Sequence, residues 1–138
     1  MKKWVQKNPN GIIVHSAAVG DYEALPRSTK IPSGQKELHL TLGPTIKILD
    51  QIRKWSDHVK IISFKAASPE TTLEELSIIA QKQRERSSSA LVFANILGKI
   101  DKDVQLVTKD HVQTFSDRED ALTALLQWIR REQEILDS

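Results

Sequence analysis

Three short apolar runs, Ile12–Val19, Val59–Ala67 and Ala90–Leu97, punctuate this chain, and each reads as nearly continuous rather than alternating. A strand covered on both faces has that pattern, whereas a strand with one wet face alternates apolar and polar side chains. Between the runs lie two stretches with helical spacing. Ile46, Leu49, Ile52 and Trp55, with Ile48 alongside, form one apolar stripe, and Leu73, Leu76 and Ile79 form the next. Gly43-Pro44 opens the first of these helices, with Pro44 at or near the first helical position, where a missing N–H costs least. Thr71-Thr72-Leu73-Glu74 offers the second a capping box. Strand, helix, strand, helix, strand predicts a mainly parallel sheet with right-handed crossovers, an α/β layered fold.

The remaining segments decorate that unit. The opening MKKWVQK reads as a helix end, and Asn8-Pro9-Asn10-Gly11 as a turn before the first strand. Asp21 to Gln35 has no periodicity and reads as an ordered loop or an excursion from the core. Leu38, Leu40 and Leu42 alternate with polar residues, as a half-buried strand would. Val104–Val107 and Val112–Phe115 flank a polar turn and predict a hairpin. Ser116 begins a capping box with Glu119, and its helix runs through Leu122, Leu125, Leu126 and Ile129. There is no repeat and no linker, so residues 1–138 are read as one domain. Three central strands are few for a Rossmann-like, three-layer sheet, whose usual first strands are absent; the chain reads as the later part of one.

Composition narrows the function classes. With a net charge of +2 and mixed signs throughout, the chain has no broad basic face for nucleic acid. It has no cysteine, which excludes disulfides, thiolate metal sites and a cysteine nucleophile. No apolar run approaches the ~20 residues of a membrane span, and no signal peptide precedes the first strand, so a cytoplasmic protein is expected. The four histidines lack metal-ligand spacing, and no metal site is expected of the protein's own side chains.

Candidate site residues gather at strand ends. In open α/β sheets the ligand crevice lies beyond the carboxyl ends of the strands. Ala17, Ala18 and Gly20 follow the first apolar run, where backbone can approach a ligand closely. Asp21 beside them is either a nucleotide or metal contact or a turn aspartate. Lys30 is either a phosphate-neutralising point charge or a solvated loop lysine, with Ser33-Gly34 just after it. No glycine-rich phosphate loop ending in Gly-Lys-Ser/Thr occurs. Phe64 and Asn95, near the ends of the second and third runs, can stack on or hydrogen-bond a base, or serve packing and turn chemistry. Lys82 and Arg86, four apart on one helix side, fit a polyphosphate tail or the helix dipole equally well.

Taken in order, AAVGDY, KI-x-SG, L-x-x-x-P, IISFK, VFANIL and VTKD resemble phosphopantothenoylcysteine synthetase of coenzyme A biosynthesis, from about His15 to the last helix. The resemblance implies a Rossmann-like fold with an extra strand segment used in dimerisation. It implies a ligase that activates the carboxylate of 4′-phosphopantothenate with ATP or CTP and Mg2+ as an acyl-nucleotidylate, which cysteine then attacks. By resemblance Asp21 is a nucleotide contact and Lys30 the triphosphate-binding, catalytic lysine. Ala17 and Ala18 line the substrate cleft, where Asn95 is also placed. Gly43, Pro44, Thr45 and Ile46 match a nucleotide-contacting stretch, Phe64 the aromatic beside the base, and Lys82 and Arg86 a pair of helix lysines of bacterial members.

There are departures. Pro32 stands where bacterial members carry a second lysine, and Lys65-Ala66-Ala67-Ser68 replaces Ala-x-Glu-Thr. The glycine-rich turn and the Arg…Asn…Ser-Ser-Gly segment that stabilise the acyl intermediate are missing; Ser87-Ser88-Ser89 lacks the glycine. The expectation is therefore an incomplete ligase site, completed by an N-terminal half or partner subunit, in a homodimer or a two-part complex. Two other readings stand beside it: a nucleotide- or ligand-binding module without ligase activity, and an assembly role for the Glu37–Leu42 strand.

Overall fold

The structure, a computed structural model, describes residues 1–16, 22–26, 29–45 and 47–138. Its elements in chain order are α1 (Lys2–Lys7), β1 (Ile12–His15), β2 (Tyr22–Ala24), β3 (Leu42–Pro44), α2 (Ile48–Trp55), β4 (Lys60–Ala67), α3 (Leu73–Ser87), β5 (Leu91–Ile96), β6 (Val104–Val107), β7 (Val112–Phe115) and α4 (Arg118–Asp137). The main sheet has the order β1-β4-β5-β6-β7. β1, β4 and β5 are parallel, β6 is antiparallel to both neighbours, and β7 points with the first three. β2 and β3 form a separate antiparallel ribbon.

Helices cover both faces, which explains the continuous apolar runs. All six β5 residues are buried. Leu91 and Phe93 pack toward Ala121 and Leu125 of α4, while Val92, Ala94 and Ile96 pack toward Leu76 and Ala80 of α3. A third cluster, Val5, Ile13, Ile52, Val59 and Ile61, joins α1 and α2 to β1 and β4. The one polar side chain buried in β6, Gln105, is satisfied: its amide accepts from Ser77 Oγ at 3.0 Å and donates to the Leu73 carbonyl at 3.0 Å.

Several expectations need correction. β1 is not fully covered on both faces: Ile13 and His15 are buried, but Val14 is 49% exposed, because β1 is the outer strand and on that face only Ile12 reaches the cluster under α4. Residues 17–19 of the expected strand lie outside the described residues. Pro44 does not open α2. It ends β3, opposite Tyr22, and α2 begins only at Ile48; ribbon pairing holds the chain extended past the position that local rules favour for a helix start. The alternation at Leu38, Leu40 and Leu42 buries nothing, since these side chains are 50%, 45% and 56% exposed. Both caps shift by one residue. Thr72 Oγ1, rather than Thr71, accepts from the Glu75 amide at 3.2 Å, while Thr71 is buried and bonded to Ser68. Asp117, rather than Ser116, caps α4 by accepting from the Glu119 amide at 2.7 Å.

Candidate functional site

The sheet is staggered where a crevice is expected. β1 pairs with β4 only from Ile12↔Lys60 to His15↔Ser63, whereas β4 and β5 stay paired through Ala67↔Ile96. Phe64 to Ala67 therefore extend past the described end of β1. Ala17, Ala18, Gly20 and Asp21 follow β1 in sequence but lie outside the described residues, as does Ile46.

The two faces of β4 differ. On the α4 side, Phe64 is half-buried and stacks on Phe93, its register partner, with centroids 4.9 Å apart and planes at 26°. The Arg118 guanidinium lies over the Phe93 ring at 5.1 Å. Asn95, opposite Ala66, is buried near the end of β5.

On the α2/α3 side lies a closed ring of hydrogen bonds. The Gln83 amide donates to Ser63 Oγ at 3.0 Å and to the Phe64 carbonyl at 3.1 Å. Ser63 and Ser89 hydroxyls are 2.9 Å apart, and Ser89 and Ser87 are 2.6 Å apart. Ser87 Oγ donates to the Gln83 carbonyl at 2.6 Å. Each hydroxyl can thus donate once and accept once, with the chain of protons running from Gln83 back to Gln83. These serines tie the end of α3 to β4, and the partners of their hydroxyls among the described residues are other hydroxyls, an amide and a carbonyl rather than a base that could activate a nucleophile. Beside them His15 is 8% exposed and its Nε2 has no hydrogen-bond partner. Lys65, two residues beyond Ser63 on the same face, is half-buried.

The other residues singled out from the sequence that the structure describes spread away from this end of β4. Lys30 is exposed on the arm between β2 and β3, near Pro32, Gln35 and Leu38. Gly43 is buried in β3, and a Cβ there would meet the Leu25 side chain at 2.7 Å, so close packing of the ribbon accounts for the glycine. Pro44 is exposed, and Thr45 is half-buried with its Oγ1 sealed and unpartnered. Lys82 is exposed on α3. Arg86 pairs with Asp50 at 2.6 Å, and Arg53 donates to the Ser88 carbonyl at 2.8 Å, so both basic groups brace α2 against α3. In the turn after β4 the fully exposed Glu70 carboxyl is held below the usual carboxylate range by its own backbone N–H and by Ser68. Among the described residues no three His, Asp or Glu side chains converge as a metal site. Reading the sequence missed the serine ring and the unpartnered His15; the triple serine at 87–89 was the available signal.

A family model described as the DNA/pantothenate metabolism flavoprotein C-terminal domain matches residues 1–131. The chain belongs to this family. Among relatives of the flavoprotein C-terminal domain, the coenzyme A biosynthesis bifunctional protein CoaBC of Thermococcus kodakarensis is 42% identical over 105 residues, covering 72% of this chain and 25% of that protein. The DNA/pantothenate metabolism flavoprotein from Streptococcus pneumoniae superposes with a TM-score of 0.78 at 26% identity, over 94% of this chain and 66% of that one. A Cab2 mutant in complex with phosphopantothenate-cysteine shares the fold, with a TM-score of 0.57 at 20% identity over 72% of this chain and 35% of that one. The chain thus spans a quarter of the curated relative and about two thirds of the pneumococcal chain. The Rossmann-like α/β fold expected from the sequence is the fold of this family.

Proposed function

We propose that the chain is the nucleotide-facing part of a phosphopantothenate–cysteine ligase. The observation that carries this reading is the family match over residues 1–131, joined to a close relative named for coenzyme A biosynthesis. In the reaction a carboxylate oxygen of 4′-phosphopantothenate attacks the α-phosphorus of ATP or CTP, and pyrophosphate leaves. The cysteine amine then attacks the acyl carbon, the nucleoside monophosphate leaves, and the amine gives up a proton. Mg2+, when bound, would neutralise phosphate charge; it keeps several waters and needs few protein ligands, which suits a chain whose described residues form no carboxylate cluster.

In this reading Asp21 and the segment Gly43, Pro44, Thr45 and Ile46 contact the nucleotide. Phe64 stands beside its base, and Lys30 neutralises the triphosphate on closure of the arm. Lys82 and Arg86 add positive charge from α3, and Ala17, Ala18 and Asn95 line the substrate cleft. The groups that hold the acyl intermediate come from a further segment, on the same polypeptide or another, docked on the outer edge of β1. The exposed leucines at 38, 40 and 42 suit a homodimer contact. No helix among the described residues is long and apolar enough to cross a membrane, and the proposed setting is the cytoplasm.

The test is pyrophosphate release by the chain completed with the part of the pneumococcal domain that it does not cover. Release requires both a nucleoside triphosphate and 4′-phosphopantothenate, and Lys30→Ala lowers it by roughly tenfold or more, the scale of one charge-assisted contact. Release that ignores 4′-phosphopantothenate contradicts the reading.

A further inference from the structure

α4 does not run back along the strand it follows. It leaves the end of β7 after Ser116 and reaches the start of β4 at Glu132, which pairs with Lys60. β5 and β6 lie between β7 and β4 in the sheet, so the helix crosses the sheet obliquely. The start of β7 is left bare: Gln113 is exposed, although its register partner Leu106 is buried. In that wedge, between α4 and the β6–β7 hairpin, opens a hollow of about 360 Å3. Small-molecule sites run from roughly 300 to 1,000 Å3 and combine an apolar lining with a few convergent polar groups.

The lining has that make-up. Buried Leu91 and Leu106 and half-buried Ala124 and Trp128 supply its apolar part. His111, Gln113, Gln127 and Arg131, all exposed, supply most of the polar part. None of these four side chains, nor the Trp128 indole N–H, has a hydrogen bond or ion pair among the described residues. Other long amides of this chain are engaged: Gln81, Gln83 and Gln105 each bond across to another element. Arg131 is the one full charge among the lining residues. Its neighbours in sequence do not neutralise it, since Glu132 is taken by Lys60 and exposed Glu134 and Asp110 are not part of the lining.

We infer that this hollow is a second ligand site, taking a small organic anion: a carboxylate or phosphate carried on a flat apolar body. The Arg131 guanidinium pairs with the anion, since its fork of donors fits either group, and the Gln113 and Gln127 amides donate to the remaining oxygens. The body lies against Trp128 and Leu106. Leu91 is the first residue of β5, so the site is at the opposite end of the sheet from the strand carboxyl ends. It is therefore separate from the ligase chemistry proposed above and does not depend on it.

Nuclear magnetic resonance spectra of the full 138-residue chain, read at backbone amides and indole N–H groups, test the inference. The probes are benzoate and phenyl phosphate, with benzyl alcohol as a ring without charge and acetate and inorganic phosphate as anions without a ring. A ring anion gives saturable shifts at Trp128, Gln113 and His111 in the millimolar range, and the other three probes bind about tenfold more weakly or worse. Saturation by benzoate alone assigns the carboxylate source, and by phenyl phosphate alone the phosphate source; either supports the site. Arg131→Met keeps the stem, removes the charge and weakens the ring anion by about tenfold, while Arg131→Lys recovers part of the affinity. The melting temperature stays at the wild-type value in both variants, because the side chain is exposed. The inference is overturned by benzyl alcohol binding as well as the ring anions, or by unchanged anion affinity in Arg131→Met. Saturable shifts confined to other parts of the chain overturn it too, as does a wild-type chain that shows none with either ring anion by about 10 mM.

Discussion

Ser63 sits in the middle of β4, an interior strand, where an apolar residue would ordinarily pack. Its hydroxyl costs little there because Gln83 and Ser89 complete it. Breaking the ring strands a buried group, and the desolvation penalty then falls due. Gln83→Leu is expected to destabilise the fold by about 1–3 kcal/mol, measured as a shift in urea midpoint at constant m. Ser63→Ala combined with Ser89→Ala should cost less than the sum of the two, since the partners are in contact. Little of this was legible beforehand. The serines were visible at positions 87–89, but Ser63 is 26 residues from Ser89, and only strand register brings them together. Phe64 is similar: its residue type pointed to a base or to packing, and the ring lies against Phe93 across the sheet. Side-chain roles that depend on contacts distant in sequence are hidden from local pattern.

At the scale of elements, local rules worked where the sheet is double-covered. β4 and β5 are buried as their apolar runs specify, whereas the helix stripes are only partly buried: Leu76 and Leu125 pack into the core and Ile79 and Ile129 lie at its margin, but Leu73, Leu122 and Leu126 are exposed. Local rules failed where pairing partners are remote. Tyr22–Ala24 holds Leu42–Pro44 extended, and the proline rule loses to that ribbon. Caps were placed to within one residue, and the difference is measurable. Asp117→Ala should cost about 0.5–2 kcal/mol of stability, whereas Ser116→Ala should change it by less than about 0.5 kcal/mol. Thermal melts of the two variants decide between the caps, and a larger loss from Ser116→Ala would place the cap back at 116.

For the molecule as a whole, the informative feature is an edge. Parallel sheets are normally covered on both faces, yet Val14 of the outer strand is 49% exposed. Among the described residues β1 also has a strand on one side only, and such an edge invites pairing with another segment. The chain covers 66% of the pneumococcal relative, so family members carry further chain beyond the region shared here. In the proposed ligase that further chain packs at the outer edge of β1. The most direct measurement is formation of phosphopantothenoylcysteine from 4′-phosphopantothenate, cysteine and ATP or CTP, by these 138 residues alone and after addition of the missing part of the family domain. The account predicts no product from the chain alone and turnover on addition. Equal rates with and without the added part would contradict it.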